Sequence, residues 1–117
     1  LWIGTPYGLS HLQAGKVKHY TSDHGLAHNT VRSVLEDSSG KVWVGTHGGL
    51  QRIEQGEFFR VRYRDSSSLE QGDSITDLVY DIQEDREGNI WAGTSVGLKR
   101  FRPKKNHRLL ARRWPSP

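Results

Sequence analysis

The amino-acid sequence predicts an all-β fold of short antiparallel strands, and three observations lead to this class. Short apolar runs alternate with turns that contain Asp and Gly, which is typical of strand, tight turn and strand. One nine-residue motif occurs three times along the chain. Gly or Pro interrupts every candidate helical window, and only four alanines occur among the 117 residues, so helices are disfavoured.

The repeated motif is an aliphatic residue, Trp, any residue, Gly, Thr, two variable residues, Gly and Leu. Its copies begin at Leu1, Val42 and Ile90, which places their Trp residues 41 and 48 residues apart. Upstream of the second and third copies, residues 31–41 align with residues 79–89. Four short antiparallel strands in a unit of 41–48 residues are typical of a β-propeller blade. The sequence therefore predicts a β-propeller segment of about two and a half four-stranded blades, which is an incomplete ring.

The predicted blades follow the repeat in chain order. Residues 1–22 form a partial blade, residues 28–64 a complete blade, and residues 75–102 most of a third. Together they make residues 1–102 the propeller part of the chain. Residues 103–117 are expected to form a basic, poorly ordered tail.

The recurrence of Gly and Trp at equivalent positions of the repeat predicts structural roles for them. Gly40 and Gly88 are expected to adopt positive φ in the hairpin between the first two strands of a blade. Gly45 and Gly93 are expected to let neighbouring backbone or an aromatic ring approach the strand closely. The Trp residues are expected to lie between adjacent blade sheets. The full structural set is Trp2, Gly4, Gly40, Trp43, Gly45, Gly88, Trp91 and Gly93.

Charge is distributed unevenly along the chain. Residues 1–98 hold 9 Lys and Arg against 13 Asp and Glu, a net charge of −4, whereas residues 99–117 hold 8 basic residues and no acid. The basic tail is interpreted as an incidental terminus, with contact to nucleic acid or to an anionic membrane surface as the alternative. Because the body is mildly acidic, no nucleic-acid partner is expected. The chain lacks an apolar run long enough for a membrane span.

Residue types that support catalysis or metal binding are present without a supporting motif. The absence of Cys excludes disulfides, zinc–thiolate sites and a thiol nucleophile. The pairs Glu36-Asp37 and Glu84-Asp85 precede a turn Gly in each repeat, which favours turn capping over acid–base catalysis. His24 and His28 lie in a predicted loop, which disfavours a metal site. No catalytic residue, metal or cofactor is expected.

A ligand site is expected at one end of the central channel, where the innermost strands begin. The segments that enter Val31 and Val79 lie there in the predicted fold. Polar and aromatic residues that differ between the repeats at these positions are candidates for ligand specificity, and ordinary loop and rim roles are the alternative. The candidate ligand-binding residues are His28, Asn29, Arg32, Asp77 and Tyr80.

The residues of the second unit carry a resemblance to a known family. Residues 29–46, followed by Gly49-Leu50, resemble the two-component regulator propeller repeat, and the string from Glu36 to Thr46 recurs from Glu84 to Thr94. That repeat builds the extracytoplasmic sensor region of bacterial hybrid two-component histidine kinases and of some diguanylate cyclases. The resemblance implies a periplasmic propeller that senses an extracellular small molecule, with a carbohydrate as one candidate, and any kinase or cyclase activity would lie outside this chain.

Two further expectations concern partners. An incomplete ring exposes sheet faces, so the chain is expected to contact the remaining blades of a parent protein or to associate with copies of itself. The alternative function is a protein–protein interaction platform without signalling output, because propellers serve both uses.

Overall fold

A computed structural model of the chain describes residues 1–61 and 75–102, which contain three antiparallel sheets. Within each sheet the strands lie side by side in chain order, three in the first sheet, four in the second and three in the third. This arrangement confirms the predicted all-β propeller class. The strands are β1 (Trp2–Thr5), β2 (Gly8–Gln13), β3 (Lys16–Tyr20), β4 (Val31–Glu36), β5 (Val42–Thr46), β6 (Gly49–Glu54), β7 (Glu57–Arg60), β8 (Val79–Glu84), β9 (Ile90–Thr94) and β10 (Gly97–Phe101).

Two of the predicted regions fall partly or wholly outside the described residues. The end of the second predicted blade, residues 62–64, lies there, and so does the basic tail of residues 103–117. Within the described residues the only helical element is one 3-10 turn at Ser22–His24, and no helix is long and apolar enough to cross a membrane.

Tight turns join the strands of each sheet. Gly40 and Gly88 adopt φ of 90° and 84° in the hairpins β4–β5 and β8–β9, as the repeat predicts. Two other hairpins place a residue with a side chain at positive φ, with Ala14 at 53° and Gln55 at 54°. Each of these is followed by a Gly at positive φ, the backbone pair that two-residue hairpin turns require.

The sheets pack face to face, and β5 shows how one strand serves both neighbours. Because side chains alternate along a strand, Val42 and Val44 face one way, whereas Trp43 faces the other. The two valines join an apolar cluster that also holds Leu9 and Leu26, and Trp2 packs against it. Trp43 belongs to a second cluster that includes Val79, Ile82, Ile90 and Ala92 of the third sheet. The second sheet is therefore covered on both faces.

The repeated Trp residues differ in how well they are covered. Trp43 is 3% exposed and lies 6.1 Å, between ring centroids, from Phe101 of the third sheet. Trp2 is half-buried against the second sheet, as predicted for a residue between blades. Trp91 is also half-buried, but it lies on the face of the third sheet that points away from the second.

The predicted role of the strand glycines needs correction. A Cβ atom on Gly45 would lie 2.5 Å from Cγ1 of Val79, so the group that approaches this strand is a valine side chain. The prediction of backbone or an aromatic ring was wrong there, because the adjacent blade presents a β-branched residue at this level. A Cβ atom on Gly93 would meet no atom within 4 Å, and none of the three described sheets covers that face.

Candidate functional site

We call β4 and β8, the first strands of the second and third sheets, the inner strands because they lie beside each other. β4 lies beside both β1 and β8, whereas β7 forms the outer edge of the second sheet. In both β4 and β8 the register with the second strand shifts, between Val31 and Ser33 and between Val79 and Asp81. The residue passed over in each shift is unpaired, as in a β-bulge. Those residues are Arg32 and Tyr80, two of the predicted ligand-binding residues.

The two bulges bring Arg32 and Tyr80 into contact. Both side chains are exposed, and Cζ of Arg32 lies 5.5 Å from the centroid of the Tyr80 ring. This is cation–π geometry, which contributes about 0.5–1 kcal/mol at an exposed site. Bulges commonly turn a side chain out of the sheet next to a functional site. The inner surface therefore presents a guanidinium and a phenol side by side.

A polar contact between the two first strands supports this pair. Oγ of Ser33 donates to Oδ1 of Asp81 at 3.4 Å and accepts from the backbone N–H of Ile82 at 3.1 Å. Oδ2 of Asp81 also accepts from the side-chain Nε2 of Gln83 at 3.2 Å. The two bonds of Ser33 join β4 to β8 directly beside the bulges. Sequence reasoning missed Ser33 and Asp81, although both are polar and occupy equivalent positions one residue after the bulge.

The loop before β4 holds two more of the predicted residues, and both side chains bond to nearby backbone. Nδ1 of His28 accepts from the N–H of Thr30 at 3.0 Å, and Oδ1 of Asn29 accepts from the N–H of Ser22 at 2.7 Å. The His28 ring also lies 5.5 Å, between centroids, from the ring of His47 in the β5–β6 turn. His47 is a residue that the sequence analysis did not single out.

The predicted residues therefore divide into groups. Arg32 and Tyr80 contact each other on the inner strands, and His28 pairs with His47 at the loop end of the second sheet. Asp77 is half-buried two residues before β8. Within residues 1–61 and 75–102, no hydrogen bond or ion pair joins Asp77 to the other four candidates. The structure thus brings two of the five into direct contact.

The carboxylates of the two Asp residues that precede the turn glycines stabilise their own hairpins. Oδ1 of Asp37 accepts from the backbone N–H groups of Ser39 at 2.9 Å and Lys41 at 3.0 Å, and Oδ2 accepts from Nε1 of Trp43 at 2.8 Å. Asp85 binds Trp91 in the same way, at 2.8 Å. This bonding supports the turn-capping interpretation of both Asp residues.

The hydrogen bonds shift the acidity of both carboxyl groups. Burial raises the pKa of Asp37, but its bonds to Ser39, Trp43 and Lys41 outweigh burial, and the pKa lies below its ordinary value. The indole N–H of Trp91 is the main cause that lowers the pKa of Asp85 to about 2. Both groups are therefore ionised at neutral pH and cannot donate a proton as general acids.

Within the described residues, no group of three or more His, Cys, Asp or Glu side chains could hold a metal ion. In this part of the chain the rings of His28 and His47 lie near each other, but no third His, Cys, Asp or Glu side chain joins them to complete a metal site. The two bulges expose a polar and an aromatic side chain, those of Arg32 and Tyr80.

Comparisons with known proteins agree with this architecture. The sequence model described as two component regulator propeller matches residues 25–48 and 73–96. No curated protein matches the chain. A solved structure named as the extracellular domain of a hybrid two-component system from B. thetaiotaomicron is 28% identical, with a TM-score of 0.62 over 87% of this chain. A second domain of this description from the same organism is 31% identical, with a TM-score of 0.64 over 90% of this chain.

A third similar structure is of the same B. thetaiotaomicron protein, BT4673, as the 28% identical structure, and is named as the extracellular domain of a one-component system. It is 26% identical, with a TM-score of 0.64 over 87% of this chain. The chain spans 14% of the length of each of these three solved structures.

Proposed function

We propose that the chain, whose residues 25–48 and 73–96 match the two component regulator propeller model, is part of a ligand-sensing propeller in the extracytoplasmic region of a bacterial signalling receptor. The observation that carries the proposal is the pair of bulges that place Arg32 and Tyr80 together on the inner strands. The similar solved structures, which are extracellular domains of signalling systems, support the location.

The chemistry of the bulge residues supports a small polar ligand with an apolar face, such as a carbohydrate. The exposed Tyr80 ring offers a flat surface on which a sugar ring can stack. Arg32 offers several N–H donors in a fixed plane, which suit hydroxyl, carboxylate or sulfate oxygens. Asp81, held by Ser33 beside the bulges, supplies an acceptor for hydroxyl groups. In this function the chain binds without catalysing a reaction.

The proposal is tested by isothermal titration calorimetry, which measures the dissociation constants of the chain for a panel of neutral and acidic oligosaccharides. Arg32→Ala and Tyr80→Ala are each expected to weaken the binding of any oligosaccharide that binds the chain by about tenfold or more, because each substitution removes one contact surface. The matched controls are Arg86→Ala in the β8–β9 turn and Phe59→Ala on the outer strand β7, both exposed and remote from the bulges. Equal loss in the controls would contradict the site.

The alternative function, an interaction platform, predicts a different pattern. A protein partner contacts a wide area, so that outer-strand substitutions such as Phe59→Ala would reduce binding more than the bulge substitutions. The same four variants therefore separate the two functions.

A further inference from the structure

A hydrogen bond to a histidine ring holds the residue that precedes β4. Nδ1 of His28 accepts from the backbone N–H of Thr30 at 3.0 Å. Because a backbone N–H can only donate, Nδ1 carries no proton, and the neutral ring carries its proton on Nε2. Asn and Asp side chains commonly close a tight turn by binding the backbone two residues later. His28 closes such a turn with a group that can be protonated.

Thr30 links three parts of the structure. Besides its bond to His28, its carbonyl oxygen accepts from the backbone N–H of His47 in the β5–β6 turn at 3.1 Å. Its Oγ1 donates to the carbonyl oxygen of Pro6 in the β1–β2 turn at 3.4 Å. The next residue is Val31, where β4 begins and its bulge follows. The turn closed by His28 therefore fixes the backbone that leads into the bulge.

The β5–β6 turn packs closely against the same loop. A Cβ atom on Gly48 would lie 2.9 Å from the carbonyl oxygen of Ala27 and 3.2 Å from Cβ of His28. The ring of His47 lies 5.5 Å from that of His28, between centroids. Its Nε2 is buried and has no hydrogen-bond partner in the described part of the chain. The backbone of residues 27–28 thus has little room to shift while the turn stays in place.

We propose that His28 is a pH-sensitive switch for the start of β4. Histidine is the side chain whose charge ordinarily changes between about pH 5 and 8. A proton on Nδ1 turns this atom from an acceptor into a donor, so it then faces the N–H of Thr30 with a second N–H and the bond is lost. Thr30 and the residues after it are then free to separate from the loop.

The groups around His28 supply no negative charge that would offset its protonation. The β5–β6 turn contributes the imidazole ring of His47, and the β1–β2 turn holds the exposed phenol of Tyr7. On β4 the first charged side chain is that of Arg32, whose guanidinium lies over an aromatic ring of β8. Within residues 1–61 and 75–102, no Asp or Glu forms an ion pair with either His ring.

His24 in the same loop makes a similar bond but has a second acceptor. Its Nδ1 accepts from the backbone N–H of Thr21 at 2.9 Å and lies 3.3 Å from Oγ1 of the same residue. After protonation Nδ1 can donate to that oxygen, and the acidic Asp23 adjoins His24 in the chain. Among the hydrogen bonds of the described residues, Nδ1 of His28 has only the N–H of Thr30. The switch is therefore assigned to His28.

The switch bears on the ligand surface because Thr30 lies two residues before Arg32. Separation of this segment from the loop displaces the bulge, so ligand affinity is expected to fall as the pH is lowered from about 7.5 to 5.5. This consequence rests on the proposed function, whereas the switch itself is tested without ligand.

The test measures by NMR the exchange of backbone N–H groups with water in the 117-residue chain at about pH 7.5 and 5.5. After correction for the intrinsic pH dependence of exchange, the Thr30 amide is expected to lose protection by about fivefold or more at the lower pH, because one hydrogen bond is lost. The Ala27 amide is the internal reference. Its N–H donates to Oε1 of Gln51 at 2.7 Å, and an amide acceptor does not titrate in this range, so its protection should not change.

Three variants isolate the ring nitrogen. His28→Asn supplies an acceptor that does not titrate and that closes the same kind of turn, so Thr30 should keep its protection at both pH values. His28→Ala removes the acceptor, and protection should be low at both. The matched control is His24→Asn, which should leave the response of Thr30 unchanged.

Three results would overturn the proposal. One is equal protection of Thr30 at both pH values in the unsubstituted chain, and another is a pH response that persists in His28→Asn. The third is full protection of Thr30 in His28→Ala at about pH 7.5, because the ring would then not be the acceptor. Failure of the proposed function is distinguishable from these results, since it would appear as absent ligand binding at both pH values.

Discussion

The bond between Asp37 and Trp43 offers a direct test of how each hairpin is tied to the apolar layer between sheets. The substitution Asp37→Ala removes a carboxylate that is 5% exposed and that accepts from two backbone N–H groups, the Ser39 hydroxyl and the Trp43 indole. The indole N–H, on a side chain only 3% exposed, then has no acceptor in its place.

The magnitude follows from the groups left without partners. A buried donor that loses its partner costs about 1–3 kcal/mol, and a hydrogen bond to a charged group contributes about 1.5–3 kcal/mol. The backbone N–H groups of the hairpin can form hydrogen bonds with water because Ser39 is exposed. The unpaired indole N–H therefore makes the largest contribution to the loss of stability. We expect Asp37→Ala to lower the free energy of unfolding by about 3 kcal/mol, and Asp37→Asn to lower it by about half as much because an acceptor oxygen remains.

A double-mutant cycle with Trp43→Phe separates this bond from the rest of the hairpin. Trp43→Phe keeps an aromatic ring against Phe101 but removes the indole N–H, so Asp37→Ala should cost less in that background. Urea unfolding of the four proteins, followed by circular dichroism, gives the coupling free energy, expected at about 1–2 kcal/mol. Additive effects within about 0.3 kcal/mol would refute the assignment of the bond as a stabilising link.

Three other predictions concern the repeat. Gly45→Ala should lower the free energy of unfolding by about 1–3 kcal/mol because its methyl group would overlap Val79, whereas Gly93→Ala should be neutral; thermal unfolding of both variants compares them. Gln55→Asn should raise the unfolding free energy by about 0.5 kcal/mol, measured in urea, because Asn tolerates a φ of 54° better. In the folded chain the pKa of Asp85 is lowered from 3.8 to about 2. The stabilisation from ionised Asp85 is therefore complete above about pH 4 and is lost as the pH falls towards 2. Asp85→Asn should flatten the dependence of the free energy of unfolding on pH in this range.

The repeat in the sequence predicts the fold well because Trp and Gly occupy positions where few other residues fit. The positive φ of Gly40 follows from the hairpin it closes, and the burial of Trp43 follows from its recurrence between apolar strands. These features depend on local geometry and on the period of the strand, both of which are visible in the sequence.

The site is less predictable, because it depends on register and on neighbours from other blades. Nothing in the residues around Arg32 and Tyr80 shows that each is passed over by its partner strand, since a bulge is a property of the pairing. The contact of His28 with His47 joins a loop to the turn of its own sheet, and the valine at Gly45 comes from 34 residues away. Such contacts follow from the packed arrangement, which a single sequence does not show.

We propose that the two inner-strand bulges form the ligand-binding surface of this propeller segment. The most direct measurement is a nitrogen–proton correlation NMR titration of the chain with the oligosaccharide that binds most tightly in the panel. The largest shifts are expected on the backbone amides of residues 31–33 and 79–81. Largest shifts on the outer strands β3 and β7, with the bulge amides unchanged, would contradict it.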